Sequence, residues 1–415
     1  MNRRFQFLFV SSSLAAVLML LVGVKLGRSA SNSDDPYKHF SVFSEVITRI
    51  KSDYVEEPDM KNVTLGALNG LLESIDPFAS YLNADQYKQY VATKGASKAN
   101  VGLVLSRRFG YVSVVDSIPG SPAAKAGFHT GDMLETIKGI STRDMPLAFA
   151  EMLLMGDENS TVEVQVLRSR KPEPEKVTLT RVKTTYPQPV LTLGADGVAT
   201  FVVSSLQGNL KDAVKKGIEG AIAKGSKKLI IDLRHCSTGN AADGVTLAQW
   251  FLEKGDIGSL KGQRLGMDQQ TFSADTSKLL WKLPVVLIVN RGTAGPAEVF
   301  ATAMLENKRA DVVGERTYGH ASVQKALSLD DGSAVLLSVG KYYSPGGKAI
   351  QDTGVVPNYP MNDSILGPEE DPDGDGIPNE TSDKPKEDTL LKKALELING
   401  VKTVAGINPD AAMKR

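Results

Sequence analysis

The sequence predicts an α/β sheet core preceded by a small all-β domain and a helical N-terminal module. Three observations predict it. Apolar residues recur at helical spacing over 37–95, the period changes to that of strands over 96–183, and over 186–360 near-continuous apolar strands alternate with amphipathic helices. A chain of 415 residues with 41% hydrophobic content has enough apolar surface for several buried cores. Lys plus Arg and Asp plus Glu both total 48, so no overall field draws the chain to nucleic acid, which is dropped as a partner. Cys236 is the only cysteine, which excludes an intramolecular disulfide and any zinc site built from several thiolates.

Taken in chain order, Arg3 and Arg4 precede a mostly apolar stretch from Phe5 to Val24, followed by the polar run GRSASNSDDP. That pattern is an export signal. Its length, about 20 residues, is close to the minimum for a spanning helix, so residues 1–35 read as a retained membrane anchor or a cleaved signal peptide with a linker. Both place the bulk of the chain outside the cytoplasm, in the periplasm or cell envelope, and the anchor would hold it to the inner membrane. Residues 36–95 form the helical module: FSVFSEVITRIKSDYV sets Phe40, Phe43, Val46, Ile47 and Ile50 at helical spacing, and Leu65, Leu68, Leu71 and Leu72 repeat it before DPFASYL breaks the pattern. Such a module caps a neighbour or mediates self-association.

Over 96–185, NVGLVLS, YVSVVDSI, STVEVQVLRS and EKVTLTRV are strands, with PLAFAEMLL as an intervening helix. Over 186–360, VATFVVSSL, KKLIIDLRH, LPVVLIVN and ADVVGE are strands, between them LKDAVKKGIEGAIA, ADGVTLAQWFLEKG and AEVFATAMLEN are helices, and the sheet is expected to be covered on its faces. Ligands in such folds sit where strands give way to helices, which marks DLRHCSTGN and NRGTAGPAE. Residues 361–387 are an acidic, Gly- and Pro-rich linker, and 388–415 hold a C-terminal helix and tail. In the linker Asp371, Asp373, Asp375 and Gly376 echo the start of a calcium loop, but Ser382 stands where that loop needs a bidentate glutamate, so a solvated linker is the reading. His39, His129 and His235 show no metal-ligand spacing, and neither a metal nor another cofactor is expected.

PGSPAAKAGFHTGD together with the loop at Asn100 to Leu103 resembles a PDZ domain. The resemblance implies that backbone N–H groups of Val101, Gly102 and Leu103 meet the carboxylate of a peptide that adds to the sheet as a strand. Four further stretches, DPFASYL, DLRHCSTGN, ERTYGHASVQ and YYSPGGKAIQDTGVVPN, come in the order of D-P-H-S-S-Y-L, D-L-R-x-N-P-G-G, E-x-T-F-G-K-G-x-V-Q and Y-Y-T-P-x-G-x-x-I-x-x-x-G-I-x-P-D. In this the chain resembles the carboxyl-terminal processing peptidases, or tail-specific proteases, from about Phe40 to Pro360. The resemblance implies a tail-specific protease-like α/β core with an inserted PDZ-like domain. It also implies a serine nucleophile on a strand-to-helix turn and a lysine base kept neutral by burial.

This chain departs from that pattern at both chemical positions. With Glu298 fixing the first motif and Thr317–Gly319 the second, the serine's place in VNRGTAGPAEVFATAML falls on Gly295 and the lysine's on His320. Gln324 matches the glutamine that orients the lysine. The turn read N-P-G-G in the family is Cys236, Ser237, Thr238, Gly239 here, which restricts the backbone on the oxyanion side. The expectation is an exported homologue that has lost Ser/Lys peptidolysis and binds unstructured protein C-terminal tails. An active protease paralogue, the membrane and a second copy of the chain are further expected partners. Two rivals stand beside it: an active peptidase using Cys236 with His320, or Thr293, and an assembly scaffold.

Overall fold

A computed structural model describes residues 36–95, 99–168, 173–194, 196–263, 269–363 and 387–400. The expected anchor or signal over 1–35, the calcium-like stretch with Asp371, Asp373, Asp375, Gly376 and Ser382, and the tail beyond 400 lie outside the described residues. Among the described residues no helix is long and apolar enough to cross a membrane. They fall into two compact units divided between Leu65 and Gly66. The first holds helix α1 (Pro36–Asp53) and the start of α2 (Met60–Glu73), and on α1 Phe40, Phe43 and Val46 are exposed.

The larger unit therefore takes in the second half of the stretch read as a helical module. After α2 come strand β1 (Ser80–Leu82) and helix α3 (Ala84–Gly95). Asn83 and Gln86 cap α3 reciprocally, each side chain accepting from the other's backbone N–H at 2.9 and 3.1 Å. The all-β domain follows with β2 (Leu103–Arg108), β3 (Tyr111–Ser117), α4 (Pro122–Lys125), β4 (Met133–Ile137), β5 (Ile140–Ser141), α5 (Leu147–Leu154), β6 (Thr161–Leu167) and β7 (Glu175–Thr180). Its sheet runs β2-β3-β4-β6-β7, with β5 beside β4, so β2 is an edge strand. Alternation explains the core: Val162, Val164 and Val166 turn inward from β6 and meet Leu147, Ala150 and Leu154 of α5.

The α/β part supplies β8 (Val190–Leu193), β9 (Val198–Val202), α6 (Leu210–Ala223), β10 (Lys228–Asp232), α7 (Ala241–Gln249), β11 (Asp256–Lys261), β12 (Gln270–Ser273), β13 (Val285–Val289), α8 (Pro296–Glu306), β14 (Asp311–Gly314), β15 (Ser322–Ser328), β16 (Ala334–Tyr343), β17 (Tyr359–Pro360) and α9 (Thr389–Ile398). One sheet runs β17-β14-β13-β10-β9-β8, parallel from β17 to β9 with β8 antiparallel. It is covered on both faces, as its unbroken apolar strands require. Leu229, Ile231 and Leu287 join one core with Val214 and Ile218 of α6, while Ile230 and Ile288 join another with Leu390, Ala394 and Ile398 of α9. Full burial of such a side chain contributes about 2 kcal/mol. Arg234 ties α9 down, reaching Asp232 at 2.6 Å and the cap residue Asp388 at 2.7 Å. A second sheet, β1-β16-β11-β12 with β15 on β16, brings the DPFASYL segment to the loop that precedes β15.

Candidate active site

The site lies at the carboxyl ends of the parallel strands β10, β13 and β14, where such sheets place ligands. After β13 the chain folds on itself: Thr293 N–H donates to Asn290 O, Asn290 N–H to Thr293 Oγ1, and Ala294 N–H crosses to Cys236 O, each at 3.0 Å. Gly295 then takes φ 62° and ψ −122°, and Pro296 opens α8, where its missing N–H costs nothing. A side chain at that φ is strained by about 1–3 kcal/mol, which glycine avoids. A Cβ built there would sit 3.8 Å from His320 O and 3.9 Å from Ser237 O, ordinary contact distances. The three loops singled out in the sequence thus meet at one point.

What joins them is the buried carboxylate of Glu298. Its Oε2 accepts from Gly295 N–H at 3.1 Å and His320 N–H at 2.7 Å, and its Oε1 from Gly319 N–H at 2.7 Å and from the Thr317 hydroxyl. Burial pushes its pKa up to about 7 although all four donors favour the charged form.

His320 stacks on Phe78, ring centroids 3.8 Å apart and planes 10° from parallel. Burial pushes its pKa down to about 4, against the pull of Asp76 and Asp352, so the imidazole is neutral near pH 7. Gln324 does not orient it: Gln324 Nε2 donates to Phe78 O at 2.9 Å, holding the segment that carries the stacking ring. These shifts predict opposed pH dependences. Unfolded histidine titrates near 6.5, so between about 4 and 6.5 the unfolded state binds a proton that folded His320 refuses, and stability rises with pH. Glu298 acts oppositely: from about 4.5 to 7 the folded state holds the extra proton, and stability falls as pH rises. Denaturant titrations of His320→Asn from pH 4.5 to 7 should show the falling slope alone, steeper than that of the unmodified chain.

Neither alternative nucleophile is arranged for attack. Cys236 is wholly buried in the main core, and burial, reinforced by Asp116 and Asp232, pushes its thiol up, so the thiolate needed for a pair with His320 is disfavoured. It should resist a thiol reagent in the folded protein and react once denatured. Thr293 is also fully buried, and its Oγ1 donates to Leu233 O at 2.9 Å.

A polar trio that the sequence did not reveal lies beside the turn. Asp116, from the end of β3, accepts from Ser237 Oγ at 2.9 Å and meets His235 Nδ1 at 2.8 Å. Burial opposes protonation of His235, but the hydrogen bond and charge of Asp116 outweigh it and hold the imidazole above its ordinary value. The order is serine, aspartate, histidine, so the carboxylate, not the ring, holds the serine proton; this arrangement pins the 235–237 loop to the β domain.

In the loop expected to take a peptide carboxylate, Val101 is buried with its carbonyl accepting from Ala123 N–H at 3.0 Å, and Leu103 opens β2 half-buried. Gly102 has φ 80°, and a Cβ there would come 2.2 Å from Ser121 Cβ, so glycine is required. The Gly102 N–H, however, already donates to Asn100 Oδ1 at 2.8 Å. On the outer edge of β2, Arg107 N–H donates to Pro77 O at 3.3 Å. A strand added at this edge would therefore meet an N–H already taken at Arg107. Among the described residues no group of three or more His, Cys, Asp or Glu side chains is placed to hold a metal.

A PDZ-type sheet set against a parallel α/β sheet, with a sharp turn into a helix at the carboxyl end of a central strand, defines a peptidase fold of the tail-processing class. The peptidase family S41 model matches residues 197–361 and a PDZ domain model matches 113–168. These matches, with the relatives that follow, support a family like that of the carboxy-terminal processing proteases. It is 26% identical over 430 residues to the carboxy-terminal-processing protease of Bartonella bacilliformis, covering 95% of this chain and 98% of that one. To the carboxy-terminal processing protease CtpA of Bacillus subtilis it is 28% identical over 336 residues, covering 80% and 70%. Among solved structures, a photosystem II D1 C-terminal processing protease matches with a TM-score of 0.65 and 26% identity, covering 77% of this chain and 86% of that one.

Proposed function

We propose that this chain is an exported member of its family that has lost Ser/Lys proteolysis and binds unstructured protein C-terminal tails without cutting them. One observation carries the reading. The turn on which the family mounts its nucleophile is held by Glu298 in full hydrogen-bonded geometry, yet it presents Gly295, and the adjoining loop carries a neutral His320 stacked on Phe78. A backbone bearing only hydrogen there has no electron pair to open a peptide bond, and an imidazole with a pKa near 4 is a poor base at neutral pH. The intact scaffold with these two replacements supports retention for binding. In this reading the N-terminal segment keeps the chain at the membrane of the cell envelope, where it would withhold a tail from an active paralogue or deliver one to it.

The test is to titrate a labelled tail peptide into the purified full chain by fluorescence anisotropy and then recover the peptide for mass determination. Saturable binding with the peptide recovered whole is the expected result. Absence of binding, or recovery of fragments, contradicts the proposal.

A further inference from the structure

The acid-recognition group expected in the β domain is already partly committed, since Gly102 N–H is donated to Asn100. A separate cavity of about 400 Å³ lies between the β domain and the loops that follow β13 and β14. Its lining includes Arg108 from the end of β2, Thr130 from the loop before β4, Arg291 from the loop after β13, and Arg316 and Tyr318 from the loop after β14. Three guanidinium groups face one lining carboxylate, Asp352, which is itself paired with Lys341 at 3.2 Å. Arg291 is paired with Glu315 at 3.3 Å. Among the described residues Arg108 and Arg316 are in no ion pair. Instead Arg108 lies over the Tyr318 ring, 5.5 Å from its centroid, and Arg316 donates from Nε to Thr353 O at 2.6 Å and from Nη2 to Asp352 O at 3.4 Å. Both side chains are exposed, and none of these contacts is an ion pair. Thr130 Oγ1, buried in the same wall, has no hydrogen-bond partner among the described residues.

Tyr318 joins this cavity to the site. Its N–H donates to Thr293 O at 3.0 Å, and its hydroxyl is hydrogen-bonded to Ser106 of β2. Arg108 ends the strand whose start would pair a tail, and Arg316 and Tyr318 belong to the loop that leads to His320 and is bonded to the turn through Thr293 O. We propose that this cavity is a carboxylate-binding site that selects acidic tails, which rests on the tail-binding reading and adds its substrate class. Planar guanidinium forks suit carboxylates, and a hydrogen bond to a charged group contributes about 1.5–3 kcal/mol, enough for at least a tenfold preference. The carboxylate that distinguishes an acidic tail is that of an Asp or Glu side chain.

The experiment uses the full chain and two tail peptides with the same apolar C-terminus, one carrying Asp and Glu upstream and one carrying Asn and Gln, each with a free or an amidated end. The acidic peptide should bind the unmodified chain about tenfold more tightly or better at roughly 50 mM salt, and the advantage should shrink near 500 mM. The double variant Arg108→Gln, Arg316→Gln should lose the advantage and keep its affinity for the neutral peptide. The advantage should survive amidation of the chain end; one that disappears on amidation overturns the assignment to side-chain carboxylates. Equal binding of acidic and neutral peptides by the unmodified chain overturns the cavity assignment and leaves tail binding standing, as does an undiminished advantage in the double variant. Binding of neither peptide overturns tail binding and the cavity together.

Discussion

Combining Gly295→Ser with His320→Lys should raise cleavage of a tail peptide by at least about a thousandfold over either single change, because loss of one member of a nucleophile and base pair costs on the order of 10⁴–10⁶ in rate. The backbone around residue 295 is already shaped for the replacement. A Cβ there meets nothing nearer than 3.8 Å, so the serine is admitted, at a strain of about 1–3 kcal/mol from its positive φ. The lysine would enter a pocket roofed by Phe78, where burial acts on an ammonium as it does on His320 and favours the neutral amine. A coupled assay on the two single variants and the double variant checks this. Full activity in Gly295→Ser alone would mean that the His320 imidazole is a competent base despite its depressed pKa.

Removing the carboxylate at the junction should have the largest effect on folding. Glu298→Ala leaves the N–H groups of Gly295, Gly319 and His320 and the Thr317 hydroxyl without their acceptor in a buried place. At about 1 kcal/mol or more for each buried group left unpaired, the cost is about 4 kcal/mol, which lowers the midpoint of thermal unfolding by about 10 °C. Glu298→Gln keeps the shape and one acceptor oxygen and should fall between, with the falling pH slope abolished. Circular dichroism melts at pH 7.5 compare the three proteins. A melt of Glu298→Ala unchanged from the parent would show that the loops at Gly295 and His320 are held by something else.

The sheet and the convergence of loops were legible because both leave local marks. Apolar runs such as Leu229–Ile231 and Val285–Val289 are long enough to be buried on both faces, and the turn signals at Gly292, Gly295 and Pro296 fix where β13 ends and α8 begins. The meeting of Gly295 with His320 followed from motif order alone. What stayed hidden depends on the docking of segments far apart in sequence. Asp116 lies 119 residues before His235, Phe78 reaches His320 from the far side of the β domain, and Gln324 bonds a carbonyl 246 residues away. Such pairings impose no period on the chain. The occupied N–H of Gly102 was hidden for a different reason: Asn100 serves equally well as a turn residue or as a side-chain acceptor, and only the fold decides which. Cys236 and Thr293 are hydrophilic enough by type to suggest chemistry, yet each points into packed interior.

The central claim is that no side chain at the strand-to-helix turn can open a peptide bond. The most direct measurement is the intact mass of a tail-bearing protein after prolonged incubation with the purified, unaltered chain. The account predicts an unchanged mass. A truncated product that vanishes with Cys236→Ala or Thr293→Ala would contradict it.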